Sequence, residues 1–321
     1  MKRRLSFSLF FLLVCIPNGS RSQEVVGSVA AELAPRPGAI SPDGRRFFVG
    51  NTLSGTLTII DVAERKAIAS VKVGRAPRGL AVTPDGKRIY AANSGSHDIT
   101  VIDAATHALL DTIQVGKRPV GILITADGKQ AYVTNSGSRD VSVIDLASGE
   151  VRDTIPVGKN PFGLSIAPDG KTLYVSNTYS NTVSVVDIRG GHEQEANQEI
   201  ATIPVGKAPH GLLLSQDGSK LFVVNLESRN LTVVDTRARK AIGAIPVGKD
   251  PLGIAATADG KKAFVANGGS DSLSVVDTAQ DKSIGEIKVG KKPYWVVVGP
   301  GDKMLFSVNS SSRDVTFVRL R

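Results

Sequence analysis

Beyond residue 15 the sequence has no cysteine. Disulfides, thiol catalysis, thiolate–zinc sites and c-type haem attachment are all excluded for the chain after that point. Long apolar runs are equally scarce, and none reaches the roughly 18 residues that a membrane-spanning helix needs. The one short run, "LSFSLFFLLVCIP", follows Lys2, Arg3 and Arg4 and precedes the small residues Ser20 and Ser22. That is the build of a secretory signal peptide over residues 1–22, cleaved after Ser22. A lipoprotein signal with Cys15 lipidated is disfavoured, because the bulky Val14 stands where a small residue is required. Loss of Lys2, Arg3, Arg4 and Arg21 lowers the formal charge from +9 to +5, short of the extreme basicity of a dedicated nucleic-acid protein. The chain is therefore expected in the periplasm or at the cell surface, with no membrane span.

Helical periodicity is also missing, and a β-strand repeat takes its place. The segment "YVTNSGSRDVSVID", residues 132–145, returns in near-copies along the whole chain. Its asparagine recurs at Asn51, Asn93, Asn135, Asn177, Asn225, Asn267 and Asn309, in steps of 42, 42, 42, 48, 42 and 42. Repeats of about 40–45 residues with four strands each signal a propeller. One unit shows the four strands. "GILITA" (121–126) is a continuous apolar run, "QAYVTN" (130–135) follows a "DGK" turn, "VSVID" (141–145) comes third and "VRDTIPV" (151–157) fourth. The last unit stops after three strands, while "EVVGSVA" (24–30) matches fourth strands such as "KAIASVK" (66–72). The expected fold is thus all-β: a monomeric seven-bladed propeller over residues 23–321, with four antiparallel strands per blade and the last blade closed by the N-terminal strand.

"YVTN" at 132–135, "PDGK" at 84–87 and "IPVGK" at 155–159, 203–207 and 245–249 resemble the YVTN-type β-propeller repeat family. The resemblance covers the whole chain after the leader. It implies an exported or surface-layer-like protein without assigned catalysis. Similar propellers include lactonases, lyases and quinone- or haem-dependent oxidoreductases, so fold alone decides little.

Residues present in every blade read as architecture: the seven asparagines, the serines at 54, 96, 138, 180, 228, 270 and 312, and the turn aspartates. Function is sought where blades differ. The residue after each link proline varies most: Arg36, Arg78, Val120, Phe162, His210, Leu252 and Tyr294. Glycine follows it in five units, and Pro37 and Trp295 break the rule. Arg36, Arg78, Phe162, His210, Tyr294 and Trp295 are accordingly expected to rim the channel mouth, unless Trp295 only plugs the closure seam. The links add a basic face of Arg75, Lys117, Arg118, Lys159, Lys207, Lys249, Lys291 and Lys292. The expectation is a non-catalytic binding module for an anionic partner: a cell-envelope polymer, an acidic protein segment or single-stranded nucleic acid. The bland alternative is a solvated collar of lysines.

Catalytic residues, cofactor and metal are each read as none. Inner strands such as "GLAVT" and "GLLLS" carry no acid, His210 stands alone as a haem ligand or general base, and His192 lies in a longer acidic loop without a zinc motif. The alternative reading is an enzyme of lactonase or lyase type, or an accessory protein of a quinone-dependent oxidoreductase system.

Overall fold

A computed structural model describes residues 23–188 and 197–320. The leader and the His192 loop lie outside these residues. Within them the chain forms seven four-stranded antiparallel sheets. Blade 1 runs Pro35–Ile40, Arg46–Asn51, Thr56–Asp61 and Lys66–Lys72, and blades 2 to 6 repeat this order along the chain. Blade 7 takes Pro293–Val298, Met304–Asn309 and Asp314–Arg319 from one end and Glu24–Ala30 from the other. The expected clasp is present, with Glu24 paired to Arg319 and Ala30 to Asp314.

The central strands are apolar on both faces because each blade is a filling between two others. In blade 3, Ala131 and Val133 pack with Tyr90, Ile99 and Ile113 of blade 2. Between them, Tyr132 turns the other way to meet Leu173, Val175 and Val186 of blade 4. Alternation of side chains along a strand thus serves two interfaces. Seven such clusters sit in the seven gaps between blades; the one at the seam joins Phe47 and Val49 to Phe306 and Phe317.

The repeated polar residues are structural, but through different bonds than local turn capping. Each asparagine is buried, and Nδ2 reaches ahead to side chains on the third strand. Asn135 donates to Asp140 at 2.7 Å and to Ser142 at 2.8 Å, for example. Each repeated serine instead accepts from the link that enters its blade. Ser138 Oγ takes the Lys117 N–H at 3.0 Å, Ser228 that of Lys207 at 2.7 Å and Ser312 that of Lys291 at 2.8 Å. The turn aspartates bond locally, as when Asp103 accepts the Ala105 and Thr106 N–H groups.

Candidate functional site

The first strands line the axis, and their glycines are needed there. A Cβ at Gly79 would lie 2.2 Å from Val120 O, and one at Gly121 or Gly163 would lie 2.3 Å from the backbone oxygen of Phe162 or His210. Each inner strand therefore rests directly on the next, and the residue before the glycine is pushed to the channel mouth. This places Arg78, Phe162, His210 and Tyr294 on one face. Trp295 occupies the glycine position in blade 7, paired with Val308. It packs partly against the seam core and partly lines the channel beside Arg78 and Phe162.

The six residues named for the mouth are brought together. Arg36 lies over the Tyr294 ring, 5.2 Å from its centroid. Its Nε is buried with no hydrogen-bond partner among the described residues. Arg78 is half-buried beside it. Burial lowers the Arg78 pKa from its ordinary value, Tyr294 opposes this, and Arg36 and Arg118 add to it. Neither Arg36 nor Arg78 forms an ion pair with a described residue. Glu32, the acid nearest in sequence, is committed elsewhere: its carboxylate accepts Ser70 Oγ at 2.5 Å and Thr56 Oγ1 at 2.8 Å.

Across the mouth, His210 is 8% exposed and packs on Phe162 with centroids 4.5 Å apart. Its Nδ1 lies 3.0 Å from Ala208 O, and Nε2 has no partner among the described residues. Burial lowers the pKa of the ring, Ala208 O raises it, and the Arg78 charge lowers it further. A carbonyl oxygen can only accept, so Nδ1–H donates to Ala208 O, and in the neutral ring, which burial favours, Nε2 carries a lone pair.

Three residues escaped the sequence reading. Thr134 and Ser176 lie buried on second strands, at the place where the other blades have Gly50, Ala92, Val224, Ala266 and Val308. Tyr179, 75% exposed, stands where Gly95, Gly137 and Gly269 stand in other blades. All three departures from the repeat were visible in the aligned units.

The basic face has a different character from the mouth. Arg75, Lys117, Arg118, Lys159, Lys207, Lys249, Lys291 and Lys292 are all exposed, and none is ion-paired with a described residue. What fixes these loops is backbone bonding to the serines, not their charges. They form a collar around the mouth, free in solvent.

Residues 38–318 match the family described as Cytochrome D1 heme domain. Among solved structures, the chain is similar to a chain of Kuenenia stuttgartiensis Hydrazine Synthase, with a TM-score of 0.82 and 24% identity over 94% of this chain and 98% of that one. At that identity the likeness shows the seven-bladed fold alone. No curated protein sequence matches. The family match overturns the expectation of a non-catalytic module for an anionic partner, because it ties the ring to a heme domain. Of the YVTN-type resemblance, the seven-bladed propeller is shown; the repeat family itself is not, and the family that is shown is the heme domain. A role linked to an oxidoreductase, kept as the alternative, fits better.

Proposed function

Since the chain belongs to the Cytochrome D1 heme domain family, we propose that it is a redox-related propeller taking an iron tetrapyrrole at its channel mouth, with His210 as the iron ligand. The observation that carries this reading is the state of one imidazole. Ala208 O holds the proton on Nδ1 and leaves Nε2 unbonded. A carbonyl partner of this kind fixes the tautomer and orientation of metal-binding histidines. Burial keeps the ring neutral, so protons compete little for Nε2 near neutral pH.

The other mouth residues fit the same group. Among the described residues Arg36 and Arg78 have no carboxylate partner, and guanidinium–carboxylate pairs would hold the acidic side chains of a tetrapyrrole. Phe162, Tyr294 and Trp295 offer aromatic surface against which a flat macrocycle packs. The channel below, about 120 Å³, is smaller than the roughly 300–1,000 Å³ of sites that enclose a drug-sized ligand. The donors at the mouth, and not the channel, would be the seat. When bound, the iron supplies one-electron chemistry. The chain's own part is to ligate through Nε2, orient through the arginines and keep water from the buried side.

The lactonase reading lacks comparable support: among the described residues no group of three or more His, Cys, Asp or Glu side chains is placed to hold a metal ion. Export is supported by the basic and apolar N-terminal segment, and no helix among the described residues is long and apolar enough to cross a membrane.

Titration with hemin tests the proposal. The unaltered chain should saturate near one equivalent with the absorption band of an imidazole-ligated iron. His210→Ala should lose that band, and Arg36→Ala with Arg78→Ala together should weaken binding by about a hundredfold or more, as loss of two charged hydrogen bonds worth roughly 1.5–3 kcal/mol each requires. An identical spectrum and affinity in His210→Ala would refute the assignment.

A further inference from the structure

His210 sits on a stretch of backbone that its own blade does not hold. Where the first and second strands of blade 5 pair, Pro209 faces Asn225 and the next pair is Leu212 with Val223. His210 and Gly211 fall outside that ladder. The link before them turns through Ala208 at φ 54°, a left-handed conformation that is unfavourable for alanine. Something else has to fix the link.

Blade 4 does so, with one side-chain bond to each of three consecutive residues. Asn181 Oδ1 accepts the Ala208 N–H at 2.9 Å, Thr178 Oγ1 donates to Pro209 O at 2.9 Å, and Ser176 Oγ donates to His210 O at 2.5 Å. The Ser176 oxygen also accepts the Gly163 N–H at 2.8 Å, beside the Phe162 ring that packs on the imidazole. Ala208 O, which holds His210 Nδ1–H, accepts the Leu226 N–H at 3.0 Å as well. Backbone and ring are thus restrained through the same three residues.

Comparison of the blades shows that the combination is particular to His210. Equivalents of these bonds occur elsewhere, but only one to a junction. Thr52 Oγ1 donates to Pro77 O at 2.9 Å between blades 1 and 2, and His97 Nδ1 accepts the Arg118 N–H at 3.1 Å between blades 2 and 3. Between blades 3 and 4, Thr134 Oγ1 donates to Phe162 O and accepts the Gly121 N–H, both at 2.8 Å. Asp271 accepts the Lys292 N–H at 2.8 Å between blades 6 and 7. The other two junctions have none of the three among the described residues. Val224, Leu226 and Arg229 stand at these places in blade 5, and Val308, Ser310 and Arg313 in blade 7. Bonds that served only to close the ring would have no reason to gather at one of seven equivalent junctions. They gather where the link carries the one histidine that is buried among the described residues.

We infer that Ser176, Thr178 and Asn181 are positioning residues for His210. They hold the 208–210 backbone against blade 4 before any ligand arrives, so that Nε2 meets the tetrapyrrole at one place and in one tautomer. A binding group has to be held within about 0.5 Å by the residues that support it, and carbonyl partners orient metal-binding imidazoles. The purpose of this restraint rests on the heme reading; the restraint itself does not, so it is measured first without hemin.

Nitrogen-15 NMR of the imidazoles in the hemin-free chain should show His210, assigned by its loss in His210→Gln, as a single slowly exchanging Nδ1–H tautomer. Ser176→Ala combined with Asn181→Ala should mix the tautomers and speed exchange of that proton by about tenfold or more, the effect of losing two ordinary hydrogen bonds. The other blades supply the conservative replacements: Ser176→Thr copies Thr134 and Asn181→Asp copies Asp271, and both should leave the signal as in the unaltered chain. Thr52→Val, which breaks an equivalent bond between blades 1 and 2, should lower the melting temperature without moving the His210 signal. With hemin, the double alanine variant should keep the imidazole-ligated band and bind about tenfold more weakly. A His210 signal unchanged in the folded double variant would overturn the inference, as would an equal shift in Thr52→Val. If the double variant does not fold, Asn181→Ala alone, at an exposed position, decides in the same way. Failure of the heme reading would show separately, as hemin binding indifferent to His210→Ala.

Discussion

Thr134 and Ser176 each do with a single oxygen what a strand would do with a ladder. Thr134→Val should therefore leave the Gly121 N–H and Phe162 O unpaired inside the ring. The expected cost in urea unfolding is about 1–3 kcal/mol, the usual penalty for a stranded buried group. The sequence held this signal, since two hydroxyls stand among glycine, alanine and valine. It was hidden because threonine and serine also complete the motifs "YVTN" and "YVSN", where they read as strand formers. His210 was legible as the odd residue after a link proline. Its meaning was not, because the Ala208 carbonyl that fixes its proton is a matter of backbone position. That histidine also gives a pH dependence with a definite sign. Its folded pKa lies below the ordinary 6.5, so below about pH 6.5 the unfolded chain takes up a proton that the folded chain refuses. His210 should thus subtract from stability as pH falls from 6.5 toward its folded pKa. His210→Gln should flatten that part of the melting-temperature profile; a profile unchanged by the substitution would show that the ring titrates freely.

At the scale of strands and turns, the outer edges carry a device that hydrophobic pattern did not reveal. In each blade the fourth strand has a one-residue bulge. Val26, Ile68, Leu110, Arg152, Ile200, Ile242 and Ile284 are the extra residues, skipped in the pairing with the third strand. Bulges spoil an edge for further pairing and so guard against aggregation. The bulged aliphatics looked like ordinary strand residues, so the alternation of the sequence gave no warning. The strands themselves and the N-terminal clasp were legible, because apolar runs and turn glycines repeat in register. Removing residues 24–30 would strip the edge of Asp314–Arg319 and uncover the seam core around Val29. Melting should fall by about 10 °C or more, since each kcal/mol lost is worth roughly 2–4 °C in a chain of this size. An unchanged melting temperature would contradict the clasp. The "DG" turns add an acid-sensitive element. Ser41, Thr83, Thr125, Ser215 and Thr257 donate to the turn aspartates two residues on, at 2.5 to 2.7 Å. Those bonds, led by the hydroxyl, hold Asp43, Asp85, Asp127 and Asp259 below the usual carboxylate range and bring Asp217 to about 2. Because the folded values are depressed, their stabilisation is complete above the unfolded pKa of about 3.9 and is lost as pH falls toward about 2. Acid unfolding followed by circular dichroism should begin below about pH 4 and shift upward when several of the hydroxyl residues are replaced by alanine.

For the whole molecule, sevenfold repetition builds the ring and the breaks in repetition build the site. That is why the fold was readable from spacing alone while the function was not. A net charge on one face suggested a partner for the charge, yet the lysines of the collar are free in solvent and only the two mouth arginines are drawn inward. Family membership redirects attention from the collar to the mouth. There, among the described residues, a buried imidazole, two guanidiniums without carboxylate partners and three aromatic rings converge from blades 1, 2, 4, 5 and 7, of which blades 1 and 7 depart from the glycine rule. The central claim is that iron binds through His210 Nε2. It is tested most directly by diffraction at the iron absorption edge from crystals soaked in hemin. The account predicts a single anomalous peak at bonding distance from His210 Nε2, at the channel mouth. A peak elsewhere on the ring, or none at saturating hemin, would contradict it.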